Sequence, residues 1–323
     1  MLSDSCGYIA LSHPPFEKRI VVAFRGTYSL TNTIVDLSAV PQVYVPYPAH
    51  GEDGEDGNNR TSGKPPSPPE DEKKCRNCTV HAGFLASWKN TRSHILSSVT
   101  EARAKYPDYK VVLVGHSLGG AVAALAGLEM QLRGWDPIVT TFGEPRIGND
   151  GLAQFVNAMF DLCAERESEY GDTMRYRRVT HVNDPIPLLP LEEWGYAMHA
   201  GEIYISKLNL PPSLSDLELC DGDADERCIA GAGDPESVAA LSRMAWPSLR
   251  DPSGPQKAFQ DQNRNQQSDE MNSQWSLVPA RYRLWELFFS HRDYFWRIGL
   301  CVPGGDPGSW RLSMKDVSMT VAI

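Results

Sequence analysis

Residues 110–120 read KVVLVGHSLGG, and they decide the fold because the hydrophobic period changes inside them. Val111, Val112, Leu113 and Val114 form an unbroken apolar run, the mark of a strand buried on both faces. From Leu118 onward, LGGAVAALAGLEMQLRG instead spaces Val122, Leu125, Leu128 and Leu132 along a helical face, with Gly134 where a helix would be capped. Ser117 therefore stands at a strand-to-helix corner, between Gly115 and Gly119.

A G-x-S-x-G corner of this kind resembles the nucleophile elbow of α/β-hydrolases. The two glycines lack side chains that would collide when the backbone folds sharply around Ser117. The serine hydroxyl is then held out at the carboxyl end of the strand. There the first turn of the helix directs free N–H groups and a positive dipole end toward any oxyanion that forms.

Outward from the elbow the pattern alternates. KRIVVAF reads as a strand and GFLASWKNTRSHILSSVTEARAKYP as a helix; after the elbow strand and its helix come PIVTTFG as a strand, GNDGLAQFVNAMF as a helix and RYRRVTHV as a strand. This succession predicts an α/β protein, a mostly parallel central sheet flanked by helices. Residues 51–74 are glycine, proline and charge with little to bury, and 229–278 are similar, so both read as flexible insertions in one domain spanning 1–301.

At 323 residues the chain can bury a large core, and no apolar run approaches the length of a membrane span. The net charge of -10 argues against nucleic acid and against electrostatic docking on anionic membranes. No signal peptide opens the chain. Yet seven cysteines include the close pairs Cys75 with Cys78 and Cys220 with Cys228, and sequons stand at Asn59 and Asn77. Together these predict an oxidising, extracellular compartment and a truncated amino terminus. Cys75, Cys78 and His81 have spacings that could suit a metal, but zinc needs a fourth ligand and no second C-x-x-C exists, so a disulfide is the expected pairing.

A serine hydroxyl needs a base, and the base needs a group to fix its tautomer. In the α/β-hydrolase order of Ser, acid, His, the histidines at 13, 50, 81, 94 and 116 come too early. Asp184, in HVNDPIPLLP, follows the end of a strand where stiff prolines begin, a place from which a carboxylate can project toward the sheet edge. His181 precedes it and fails the order. Both His199, in MHAGEIYI, and His291, in FFSHRDYF, remain open on order alone.

Seven blocks, VVAFRGT, VHAGF, VGHSLGG, TFGEPRIGN, RVTHVNDPIPLLP, HAGEIY and SHRDYF, resemble in this order the class 3 fungal lipases, the Rhizomucor-type triacylglycerol lipases. The resemblance implies Ser117 as nucleophile, Asp184 as orienting acid and His291 as base, with His199 a non-catalytic family histidine. It implies an oxyanion hole from the backbone N–H groups of Leu118 and Thr27, with Arg25 bracing the loop. It also places a lid at YSLTNTIVDL, where Leu30, Ile34 and Leu37 form a narrow apolar stripe and Thr33 stands where the family carries a tryptophan. Cys220 with Cys228 matches a family pair, and Cys6 is a possible substitute partner for Cys301.

The function so implied is a cofactor-independent serine ester hydrolase, a secreted triacylglycerol lipase acting as a monomer on lipid at an oil–water interface. Phospholipase A1, feruloyl esterase and other carboxylesterases share that machinery. A catalytically silent lipid-binding protein is the reading from another class. Residues 302–323 lie outside the resemblance.

Overall fold

The computed structural model describes residues 7–26, 41–47, 75–162, 174–232 and 290–298. The amino-terminal hairpin pairs β1 (Gly7–Ser12) antiparallel with β2 (Arg19–Phe24), whose alternate residues Ile20, Val22 and Phe24 are buried. Strands β3 (Pro41–Val43) and β4 (Thr79–His81) form a small separate antiparallel pair. Helix α1 (Ala82–Lys105) begins where the His81 side chain accepts a hydrogen bond from the Phe84 N–H.

Strand β5 (Lys110–His116) and helix α2 (Leu118–Leu132) form on either side of Ser117, as the change of period predicts. Helix α2 is buried on more than its predicted face. Every residue from Gly119 to Met130 is buried, and alanines and glycines let the neighbouring elements approach on all sides. A Cβ on Gly127 would lie 2.5 Å from Val139 Cγ2. The helix ends as its glycine foretells: Gly134, at φ +73°, donates to the Gln131 carbonyl and Trp135 to that of Met130.

There follow β6 (Ile138–Phe142), α3 (Asp150–Phe160), β7 (Tyr176–His181), β8 (Glu202–Ile205), β9 (Leu217–Leu219) and a short α4 (Ile229–Ala232). The main sheet has the order β1-β2-β5-β6-β7-β8-β9. From β2 to β8 its neighbours run parallel, and antiparallel strands close both edges. This is the expected mostly parallel sheet flanked by helices, an α/β-hydrolase architecture. Among the described residues no helix is long and apolar enough to cross a membrane.

Two polar devices fasten the layers. Glu129 on α2 is buried yet fully engaged, accepting from Trp88 Nε1 at 2.9 Å, Arg92 Nε at 2.7 Å and Arg133 Nη2 at 2.8 Å, so that α1 and α2 share one neutralised carboxylate. Asn149 caps α3 by accepting from Leu152 N–H, and its amide also grips the Thr79 N–H and the Asn77 carbonyl.

The disulfide Cys75–Cys78 lies within that gripped segment, with Cα atoms 5.6 Å apart, so the two thiols are joined to each other. Cys220–Cys228, with Cα atoms 6.1 Å apart, sits in a small cluster with Leu188, Met198, Tyr204 and Ile229. Residues 229–232 of the second predicted insertion are thus helical, with Ile229 buried. Residues 51–74, 233–278 and 302–323 lie outside the described residues, as do Cys6, Cys163 and Cys301.

Candidate active site

Parallel strands deliver their carboxyl ends to one edge of the sheet, and several residues of the site follow such ends. Gly26 follows β2, Ser117 follows β5, Gly143 follows β6 and Asp184 follows β7. The elbow between β5 and α2 is as tight as its glycines imply. A Cβ at Gly115 would stand 2.0 Å from the Gly119 carbonyl oxygen, and one at Gly119 would stand 2.4 Å from that of Phe24. Ser117 itself adopts φ +58° and ψ -129°, a conformation that costs a non-glycine residue about 1–3 kcal/mol and persists only where its surroundings enforce it. Here Ser117 N–H donates to the Phe142 carbonyl at 2.9 Å, while the Ser117 carbonyl accepts from Gly120 and Ala121.

Asp184 and His291 meet although 107 residues separate them. His291 Nδ1–H donates to the carboxylate at 2.8 Å from Oδ2 and 2.9 Å from Oδ1. The Ile186 N–H adds a bond to Oδ1 at 2.9 Å, and the Tyr294 hydroxyl donates to Oδ2. Asp184 is 1% exposed and His291 0%. Burial alone would raise the Asp184 carboxyl. The adjacent His291, with the bonds from His291, Tyr294 and Ile186, outweighs it and holds the carboxyl below its ordinary value. Tyr294 responds in the opposite sense, its phenol pushed well up by burial and by the carboxylate it serves.

With Nδ1 committed to Asp184, the other ring nitrogen of His291 is left for chemistry. Nε2 is buried and makes no hydrogen bond, and the same holds for Ser117 Oγ. Other buried polar atoms among the described residues also lack a partner, but these two belong to residues that the sequence reading brings together.

The structure separates the two histidines that the sequence order left open. His199 is buried, but its Nε2 lies 3.0 Å from Glu144 and its Nδ1–H donates to the Ala200 carbonyl, with the Tyr176 ring against it at 4.6 Å. Both its nitrogens are engaged in a structural network, and neither is offered to Ser117. His181 similarly binds the Lys207 carbonyl through Nε2. Leu118 opens α2, so its N–H has no acceptor within the helix. Gly26 packs its backbone on the elbow, where a Cβ would stand 3.2 Å from Ser117 Cβ, and the Arg25 Nε–H donates to the Gly26 carbonyl at 3.3 Å. Thr27 and the lid residues Leu30, Ile34 and Leu37 lie outside the described residues.

Three residues of the site escaped the sequence reading. Tyr294 falls three positions after His291, a spacing that gives no sign of a bond to Asp184. Gly143, at φ +57°, underlies the pair, and a Cβ there would stand 2.5 Å from Tyr294 Oη, 2.7 Å from His291 Cε1 and 2.8 Å from Asp184 Oδ2. His116, set aside because it precedes Ser117, bonds through Nε2 to the His291 carbonyl at 2.6 Å.

Comparison with known proteins shows the family. Residues 21–194 match the family Lipase (class 3). The chain is 50% identical over 325 residues to secreted mono- and diacylglycerol lipase 2 of Gibberella zeae, covering 96% of this chain and 72% of that protein. Lipase A of Sodiomyces alcalophilus is likewise 50% identical, with 96% and 72% covered. Among solved structures, Lip2 lipase from Yarrowia lipolytica superposes with a TM-score of 0.58 at 30% identity over 71% of each chain. Matched over more than half its length by the family and at 50% identity by two relatives, the chain belongs to the class 3 lipases and is a carboxylic ester hydrolase.

Proposed function

We propose that the chain hydrolyses acylglycerol esters through an acyl-enzyme on Ser117. One observation carries this: the Asp184 carboxylate holds His291 Nδ1–H while His291 Nε2 and Ser117 Oγ stay buried and unpartnered at the same sheet edge. In this reading Ser117 Oγ attacks the ester carbonyl as its proton passes to His291 Nε2, and Asp184 stabilises the imidazolium without taking the proton. The C–O bond to the alcohol then breaks, and His291 returns the proton to the leaving glycerol oxygen. Water repeats the sequence on the acyl-enzyme, giving the fatty acid and free Ser117.

The N–H groups of Leu118 and Thr27 receive the oxyanion. Each such donor contributes about 2.7–4 kcal/mol to the transition state. The short separation of Ser117 from Nε2 that this requires forms as substrate enters, since catalytic hydrogen bonds tighten in the Michaelis complex.

Within the acylglycerols, relatives from Gibberella zeae and Penicillium cyclopium carry the description mono- and diacylglycerol lipase, which favours partial glycerides beside triacylglycerols. Their description as secreted, with two disulfides in this chain, supports an extracellular location. The apolar stripe of Leu30, Ile34 and Leu37 would cover the site in water and open at lipid, so the rate on tributyrin should rise more than linearly beyond its solubility limit.

The test compares initial rates on dioleoylglycerol, trioleoylglycerol, tributyrin and methyl ferulate for the wild type and Ser117→Ala. Hydrolysis of the glycerides, abolished by the substitution, supports the proposal. Faster turnover of the ferulate with smooth saturation on tributyrin would instead make it a feruloyl esterase.

A further inference from the structure

His116 stands immediately before the nucleophile, yet the triad makes no use of it. Its ring lies between two loops of the site. On one side Nε2 is 2.6 Å from the His291 carbonyl oxygen, and the two imidazole rings face each other with centroids 4.4 Å apart. On the other side Nδ1 would be 3.7 Å from a Cβ on Gly26, the last described residue before Thr27. The Tyr294 ring closes a third side, edge-on at 5.8 Å.

A carbonyl can only accept, so the hydrogen must sit on His116 Nε2. The neutral Nε2–H tautomer supplies it, and desolvation with the neighbouring His291 keeps the ring neutral, its pKa pushed down to about 3. The bond is therefore present throughout the range in which a lipase works.

His291 follows residue 290 in a turn where the Asp293 N–H donates to the Ser290 carbonyl. The Asp184 contact orients the ring through Nδ1, whereas the His116 bond is made to the main chain of His291 itself. From the residue adjoining Ser117, the His116 N–H fixes the main chain of the base relative to the nucleophile. Reaction rates fall steeply when reacting atoms are misplaced by as little as 1 Å.

We infer that His116 is a positioning residue for this ester hydrolysis, its Nε2–H holding the His291 main chain at the distance from Ser117 that proton transfer requires. The inference rests on the reading of His291 as the base.

A ring serving only to fill space would be replaced without loss by phenylalanine, whereas a glutamine places its amide nitrogen as many bonds from Cβ as His116 Nε2 and can donate to the same carbonyl. The experiment measures kcat, KM and Tm for His116→Phe, His116→Gln and His291→Ala with p-nitrophenyl butyrate, together with the rate at which a p-nitrophenyl phosphonate inactivates each enzyme by phosphonylating Ser117. The inference expects His116→Phe to lose about 10- to 100-fold in kcat and in inactivation rate, with KM within about twofold and Tm little changed. His116→Gln should recover to within about fivefold of wild type.

Wild-type kcat in His116→Phe, or a loss that follows Tm and is not recovered by glutamine, overturns it. Substantial activity in His291→Ala would instead remove the reading of His291 as base on which it rests. Should His116→Phe not fold, His116→Met, of similar length and without a ring donor, is read by the same criteria; if neither folds, the role is architectural and the inference fails.

Discussion

Gly143→Ala is the substitution that most directly weighs how closely the site is built. The position has φ +57°, so any L side chain strains the backbone by about 1–2 kcal/mol. Its Cβ would also enter the Asp184–His291–Tyr294 cluster, at 2.8 Å from Asp184 Oδ2, 2.7 Å from His291 Cε1 and 2.5 Å from Tyr294 Oη. Against ordinary contact at 3.4 Å these are short by about 0.6–0.9 Å. None of the three neighbours is a flexible chain end, because each is buried and hydrogen-bonded to another. The cluster must therefore shift as a unit, by a displacement of the size that costs roughly 100-fold in rate.

Gly134→Ala is the matched control. It too has positive φ, at +73°, but nothing lies within 4 Å of its Cβ, so it carries the backbone strain and no collision. Urea unfolding should show Gly134→Ala less stable by about 1–2 kcal/mol with kcat/KM on p-nitrophenyl butyrate within about twofold of wild type. Gly143→Ala should lose at least that stability and about 100-fold in kcat. A Gly143→Ala enzyme with kcat within threefold of wild type would show that the cluster yields without cost to catalysis, and the reasoning would fail.

Other outcomes follow from the same contacts. His291→Ala should approach the defect of Ser117→Ala because triad members act as a unit, while His199→Ala, which breaks the bond to Glu144, should lower Tm more than kcat; the reverse pattern of rates would mean the wrong histidine had been chosen. Asp184, held below its ordinary pKa of 3.8, contributes stability that is present above that value and disappears as pH falls through the lower folded value, so the fall in urea midpoint below pH 4 should be shallower in Asp184→Asn. His116, facing His291, Asp184 and Arg292, has its pKa depressed from 6.5 to about 3. Between those values the unfolded chain binds the extra proton, so stability declines on acidification across that window, and His116→Gln should flatten the decline. Tyr294→Phe removes a donor to a buried carboxylate, a bond worth about 1.5–3 kcal/mol, and should lower stability by that order at pH 7.

What could be read in the sequence was what depends on neighbours along the chain. The change of period at Ser117, the apolar run of β5 and the glycine after α2 are local signals, and each became the element it predicted. Asp184 could be proposed because it follows a strand end. The buried flank of α2 is wider than the sequence suggests, because its alanines and glycines look neutral until neighbours such as Val139, which meets Gly127, pack onto the helix. The choice of His291 over His199 needed the family, since nothing local says which imidazole meets Glu144 and which meets Asp184. Gly143, His116 and Tyr294 were hidden for the same reason. Their roles exist only once β5, β6, β7 and the segment after residue 290 are brought to one edge.

That edge also explains why the base is held by so many polar contacts. Ser117 is fixed by covalent geometry, at a corner between a buried strand and a buried helix, and Asp184 by a turn that closes directly on the end of β7 through the His181 carbonyl. His291 lies in the described stretch 290–298, beyond the strands of the sheet in the chain. Among the described residues it is contacted by Asp184 from the β7 loop and His116 from β5, while Tyr294 returns from its own segment to the same carboxylate. The segment then ties itself off, with Arg297 paired to Asp293 and the Arg292 Nε–H donating to the Ile298 carbonyl at 2.6 Å. In the proposed mechanism, with Ser117 and Asp184 supplied from strand ends of the sheet, these contacts would set the accuracy of proton transfer to His291.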